Sequence, residues 1–384
     1  MDKAESEVPF FVPWITEQDR KAVLEVLTSR WLTGGPKAKE FEKLFTAYTS
    51  ANHSVSVSSC TAALHLAMRA LNIGPKDEVV VPVLTFAATA NAPLFVGAKP
   101  IFADIDEKTF NISPKQIEEK ITKKTKAVIV VHYGGQSCDM KEIMEIAEDY
   151  KIEIVEDCAH ALGAVYQGKN VGTFGAVGCF SFYPTKIITT IEGGMATTQD
   201  KTIADKMQLL REHGMTKTAF ARENNASWYY DVVDLGYNYR LNEVQAALGI
   251  SQLKRINEIN EKREEAAKYY TQKLTGIEGM VLPNEAKGRN HLYHLYVIRV
   301  LKEKFGIDRN ELFKRLSAKG ISPSVHFTPL HLLTLYKKSG YGKQRFPIAE
   351  RISKEIMSLP LFPTISKSQM DFVAKEISQN CRAS

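Results

Sequence analysis

The chain has 384 residues, 44% of them hydrophobic and 24% charged, a balance that admits a globular protein with one large and one small domain. Its 50 basic and 44 acidic residues leave a net charge of +6, and the densest basic run, Lys123-Lys124-Thr125-Lys126, reads as a solvated loop, not the clustered footprint of a nucleic-acid binder. No apolar run approaches the roughly 18 residues of a membrane span, the acidic start lacks the apolar stretch of a signal peptide, and five cysteines without CxxC spacing point to a reducing cytoplasm.

Trp14 to Leu27 carries apolar residues at helical spacing, with Thr16 as N-cap. Gly34-Gly35-Pro36 is a sharp turn, Phe41 to Tyr48 reads as a helix and Ser54 to Val57 as a short strand. Hydroxyl-rich Ser58-Ser59-Cys60-Thr61 then opens a helix rich in Ala and Leu. Its N-terminus offers free N–H groups and the positive end of a dipole, which suits a phosphate. Val79 to Thr85 reads as a strand with Phe86 at its end, Pro100 to Asp104 and Ala127 to His132 as further buried strands, and Lys141 to Tyr150 as an amphipathic helix. Ile152 to Glu156 is a strand that ends on Asp157. Strands alternating with helices predict an α/β fold with a mostly parallel sheet covered on both faces. Ligands bind at the carboxyl ends of such strands.

The stretch from Phe180 to Met195 centres on Lys186. Pro184 forces Tyr183 out of the α region, so the lysine sits on a bend. Apolar neighbours disfavour an ammonium, and a neutral amine forms a Schiff base with a carbonyl. A carboxylate at a strand end, followed by such a lysine, matches the needs of pyridoxal phosphate: the lysine holds the aldehyde and the acid keeps the ring nitrogen protonated. Downstream, Tyr237-Asn238-Tyr239-Arg240-Leu241-Asn242 precedes a helix that Asn242 caps. Ser251 to Lys273 is expected as one long charged helix leading to a smaller domain, in which His294 to Val300 alternates as a strand. His326 and His331 have no carboxylate or cysteine cluster beside them, so no metal site is expected, and there is no P-loop, GxGxxG or HExxH.

These motifs, from Trp31-Leu-Thr-Gly-Gly-Pro36 to Leu359-Pro-Leu-Phe-Pro363, resemble the DegT/DnrJ/EryC1/StrS sugar aminotransferases. The resemblance implies the type I fold of pyridoxal-phosphate-dependent transferases, with an N-terminal arm (1–15), a large domain (16–252) built on a mostly parallel mixed sheet flanked by helices, and a smaller α+β domain (253–384). It implies that Lys186 carries the cofactor, that Asp157 faces the ring nitrogen and that His160 lies near the ring hydroxyl. Phe86 is implied to stack on the ring, and Thr61, Ala62 and Ser181 to bind the phosphate. Asn238 is implied to reach the phosphate of the neighbouring subunit in a homodimer with shared active sites. Thr33, Gly34, Arg240 and His326 fall on the substrate side. The implied reaction moves an amino group from glutamate to a nucleotide-linked keto sugar, a 4-keto-6-deoxy hexose. Cys60 and Ile191 stand where many relatives have glycine. A dehydratase of the family replaces the lysine with histidine, and a regulatory member is expected to lose Lys186 or Asp157; both residues are present here.

Overall fold

The computed structural model describes residues 7–217 and 228–381, so residues 1–6 of the expected arm lie outside it. Strands and helices alternate from the start: β1 (His53–Val57), β2 (Glu78–Pro82), β3 (Lys99–Ala103), β4 (Thr125–Val131) and β5 (Glu153–Asp157). A small hairpin, β6 (Val165–Tyr166) and β7 (Lys169–Asn170), precedes β8 (Val177–Ser181) and β9 (Gly194–Thr198). Seven strands form one sheet in the order β1-β9-β8-β5-β4-β2-β3. β3, β2, β4, β5 and β8 are parallel, and β9 runs antiparallel to both β8 and β1.

Both faces of the sheet are apolar, as the near-continuous Val and Ile runs require of a buried parallel sheet. Val79, Val81, Ala127, Ile129 and Val155 pack on one face with the helix Cys60–Ala70. Val80, Val128, Val130 and Ile154 pack on the other with Met140, Ile143, Ile146 and Ala147 of the helix Met140–Tyr150. The period-2 alternation of a strand separates the two sets.

The same alternation gives the two acids at the end of β5 opposite fates. Glu156 is fully buried and accepts N–H bonds from Gly172 (2.7 Å), Phe174 (2.8 Å) and Gly175 (2.8 Å), as well as His132 Nε2 (3.1 Å). Burial raises its pKa, but the His132 and backbone hydrogen bonds outweigh that and hold it below the usual range. With Cys158 these two residues form a buried cluster of metal-ligating types that sequence spacing did not single out. Both nitrogens of His132 are already bonded, Nδ1 to the Cys138 N–H (3.1 Å), so the cluster pins the chain beneath the site.

The expected helix from Ser251 to Lys273 is two helices, Glu243–Leu253 and Ile256–Leu274. Between them the Arg255 guanidinium reaches Asp19 Oδ2 (2.8 Å) and lies over the Trp14 ring (4.7 Å), and its backbone leaves the helical region. Beyond this break, β10 (Met280–Val281), β11 (Tyr296–Val300) and β12 (Ile356–Leu359) form a second, antiparallel sheet. Every residue of β11 is buried, although its pattern alternates. Tyr296, Ile298 and Val300 join the core made with the helix Ile256–Leu274, while Val297 joins the core of the main sheet, so both faces of this strand are covered. Among the described residues no helix is long and apolar enough to cross a membrane.

Candidate active site

A cavity of about 470 Å³ opens at the carboxyl ends of the parallel strands, within the usual range for a small-molecule site. Residues that end or follow β1 (Ser59, Cys60, Thr61), β2 (Thr85, Phe86), β5 (Asp157, His160) and β8 (Ser181, Lys186) all line it. Phe10 of the N-terminal segment and His294, His326 and Phe327 close it from the side of the second sheet.

Asp157 is 5% exposed, and its carboxylate accepts the Thr89 hydroxyl on Oδ2 (2.8 Å) and the Ala159 N–H on Oδ1 (3.1 Å). Cys60 Sγ lies 3.9 Å from Oδ1. Burial raises the Asp157 pKa; the Thr89 and Ala159 hydrogen bonds and the Lys186 charge oppose that rise. Lys186 sits on the expected bend, where its N–H donates to the Tyr183 carbonyl (2.9 Å). Burial lowers its pKa to about 8, against the opposing pull of Asp157. A substantial share of this amine is therefore neutral near physiological pH, unlike an ordinary lysine at roughly 10.4.

His160 Nδ1 accepts the Gly134 N–H (3.3 Å), which leaves the ring proton on Nε2. Burial, and then the charges of Lys186 and His326, push its pKa well down and keep it neutral. Its ring stacks on Phe327 (centroids 6.1 Å apart) and packs against His294 (4.4 Å). His326 bonds Ser358 Oγ through Nδ1 (2.8 Å), whereas His331 bonds Glu350 Oε1 (3.1 Å), so the two serve different partners. Phe86 stands on the cavity wall with 61% of its surface exposed, a large ring face available to a ligand.

The helix Cys60–Ala70 is capped by Ser59, whose Oγ accepts the Ala62 N–H (3.1 Å). That bond consumes the Ala62 donor, and Ala62 does not line the cavity. No group among the described residues accepts the N–H of Cys60 or Thr61, so these are the free donors at the helix start. The close backbone approach expected of a glycine at Cys60 is supplied from the other side. A Cβ on Gly194 of β9 would stand 2.5 Å from the Ser59 carbonyl carbon and 2.6 Å from the Cys60 nitrogen. Ile191 has φ 71°, in the left-handed region that glycine occupies freely and a β-branched residue does not.

Five expected site residues lie outside this cavity: Ala62, Thr33, Gly34, Asn238 and Arg240. Thr33 pairs with Asn242 in an isolated bridge beside the Gly34 turn, Asn238 is exposed, and Arg240 pairs with Glu212 (3.4 Å). Conversely, Thr85, Thr89, His294 and Phe327 were not singled out from sequence. Thr85 and Thr89 stand four residues apart just past β2, and that spacing is the only signal that marked them.

The profile of the DegT/DnrJ/EryC1/StrS aminotransferase family matches residues 13–378. The chain belongs to this family. It is 44% identical to the spore coat polysaccharide biosynthesis protein SpsC of Bacillus subtilis over 96% of each chain. It is 39% identical to the UDP-4-amino-4-deoxy-L-arabinose–oxoglutarate aminotransferase of Shewanella sediminis over 97% of each chain. Its structure matches that of Streptococcus pneumoniae Spr1654 in the PMP form with a TM-score of 0.91 at 33% identity, covering 97% of this chain and 99% of that one; the same protein is also solved in the PLP form. The architecture is the type I fold of pyridoxal-phosphate enzymes, and this family member is a pyridoxal-phosphate-dependent aminotransferase. The residues present fit that cofactor: a buried carboxylate that accepts two hydrogen bonds, a lysine amine of lowered pKa and two free N–H donors at a helix start all face one cavity.

Proposed function

We propose that this aminotransferase moves an amino group from glutamate to a nucleotide-linked keto sugar, a 4-keto-6-deoxy hexose. The observation that carries the reading is the approach of Lys186 and Asp157 to one cavity, in a chain of an aminotransferase family whose relatives include a UDP-4-amino-4-deoxy-L-arabinose–oxoglutarate aminotransferase. Pyridoxal phosphate supplies an aldehyde and an electron sink. In this assignment Lys186 Nζ would carry the cofactor and, once released, would move the proton from the donor's α-carbon to the cofactor's aldehyde carbon. Asp157 holds negative charge opposite the ring nitrogen, and the His160 Nε2–H is the donor toward the ring hydroxyl. Phe86 covers one ring face. The N–H groups of Cys60 and Thr61 and the Ser181 hydroxyl hold the phosphate, and His326 borders the sugar. Incubation of the purified protein with glutamate and a panel of nucleotide keto sugars tests this by mass spectrometry. An amino sugar is the expected product; turnover of glutamate with non-sugar ketones alone would overturn it.

The working unit we propose is a homodimer with shared sites, in which Thr33, Gly34, Asn238 and Arg240 complete the partner's cavity. Support comes from their place outside this chain's own cavity and from the exposed apolar run at Trp228 (86%), Val232 (57%), Val233 (57%) and Leu235 (74%). A mixed dimer of Lys186→Ala and Asn238→Ala chains collects both lesions in one site and leaves the other intact. Activity well above both parents is expected from the tagged heterodimer. With Asn238→Ala alone impaired, activity no better than the parents would exclude the shared site.

We also set the domain boundary at 253, with an arm over 1–15. The helix break at Lys254 and Arg255 supports the boundary, and comparison of free and liganded crystal structures for rigid-body motion tests it. A cytoplasmic location is supported by the free thiols at Cys60, Cys138, Cys158, Cys179 and Cys381, and cell fractionation tests it.

A further inference from the structure

Thr89 is fully buried on the helix Ala87–Phe95, where a hydroxyl-bearing β-branched residue is a poor choice on propensity alone. Its Oγ1 lies 2.8 Å from Asp157 Oδ2 and 2.9 Å from Thr85 Oγ1. Thr85 is itself 2% exposed and lines the cavity. An ionised carboxylate only accepts, and a hydroxyl has one proton, so the direction of this chain is determined. Thr85 donates to Thr89, and Thr89 donates to Asp157. Each bond polarises the next, and the chain favours the charged carboxylate over the protonated acid.

We propose that Thr89 is a positioning residue for the reaction, donating the hydrogen bond that keeps the Asp157 carboxylate ionised, with Thr85 as the donor behind it. The catalytic part of this rests on the reading of Asp157 as the partner of the cofactor ring. The titratable groups that face Asp157 are Cys60 at the helix start, His132 past β4, Cys158, Cys179 on β8 and Lys186. Burial raises all three thiols and keeps them uncharged near neutral pH, and His132 is committed to Glu156 and Cys138. Lys186 is the remaining charge opposite the carboxylate. Among hydrogen bonds, that from Thr89 opposes the burial of Asp157 most strongly.

The test uses the full chain labelled with ¹³C at aspartate Cγ, freed of cofactor, with the Asp157 signal assigned through Asp157→Asn. Thr89→Val keeps the shape and removes the donor. It should move the Asp157 titration midpoint up by about one to two pH units. Thr89→Ser should restore the wild-type midpoint, and Thr85→Val should raise it by a smaller amount. After reconstitution, the deficit of Thr89→Val in the glutamate half-reaction should be largest at low pH and shrink as pH rises, because a raised midpoint loses the carboxylate first as pH falls. KM for the keto sugar should be unchanged. An unmoved midpoint in Thr89→Val, or a Thr89→Ser protein as impaired as Thr89→Val, would overturn the proposal. If Thr89→Val does not fold, an unmoved midpoint in Thr85→Val overturns the relay. The titration is read without cofactor, so it stands or falls separately from the role assigned to Asp157 in catalysis.

Discussion

Lys186→Ala is expected to give a folded protein that transaminates at least about 10⁴-fold more slowly, the loss of both a carrier amine and a proton-transfer group. No group among the described residues accepts a hydrogen bond from its Nζ, so truncation leaves no orphaned partner and the fold should persist. Borohydride treatment of the wild-type holoenzyme should fix the cofactor to the peptide that contains Lys186. Attachment at another lysine would sink the assignment. The same residue carries a pH signature. Burial favours its neutral form, with a pKa of about 8. Capture of an aldehyde by the cofactor-free chain should therefore rise as pH passes about 8, whereas surface lysines respond near roughly 10.4.

Asp157→Asn should slow the half-reaction with glutamate on the order of 10³-fold, the scale expected when one preorganised charge contact is removed from a dry site. The amide is nearly isosteric, but the pocket is built for a pure acceptor. The Thr89 hydroxyl and the Ala159 N–H both donate to this carboxylate, and an Asn has one oxygen to offer them. One donor is left facing an NH₂ group, at a cost of about 1 to 3 kcal/mol. A modest fall in thermal midpoint should thus accompany the loss of rate, while the phosphate contacts still retain cofactor. Near-normal turnover in this variant would show that a different group holds the ring proton.

Much of the architecture was legible in the chain itself. Alternating strand and helix patterns predicted the parallel sheet, and the caps at Thr16 and Asn242 are present as capping boxes. Asp157 and Lys186 were readable as a pair because one ends a strand and the other stands just past one, where a parallel sheet presents its ligands. These features are local: a period, a cap or a strand end is decided by residues a few positions apart.

What the tertiary structure alone decided involves contacts that skip along the chain. The Thr89 bond to Asp157 spans 68 residues, and the Cys60 contact with the same carboxylate spans 97. The first exists because β2, β4 and β5 lie side by side and the second because β1 reaches β5 through β9 and β8, an order no local pattern encodes. The break at Arg255 follows from its reach of 236 residues back to Asp19. The Ala62 N–H, expected for a phosphate, is taken by its own cap, and helical spacing does not reveal which donor a cap consumes. The left-handed backbone at Ile191 likewise appears only once the turn between Lys186 and β9 is folded. Sequence therefore singled out Asp157 and Lys186 as candidates for the chemistry. The order of the strands decided which neighbours set their charge, because burial and hydrogen bonding act through space and not along the chain.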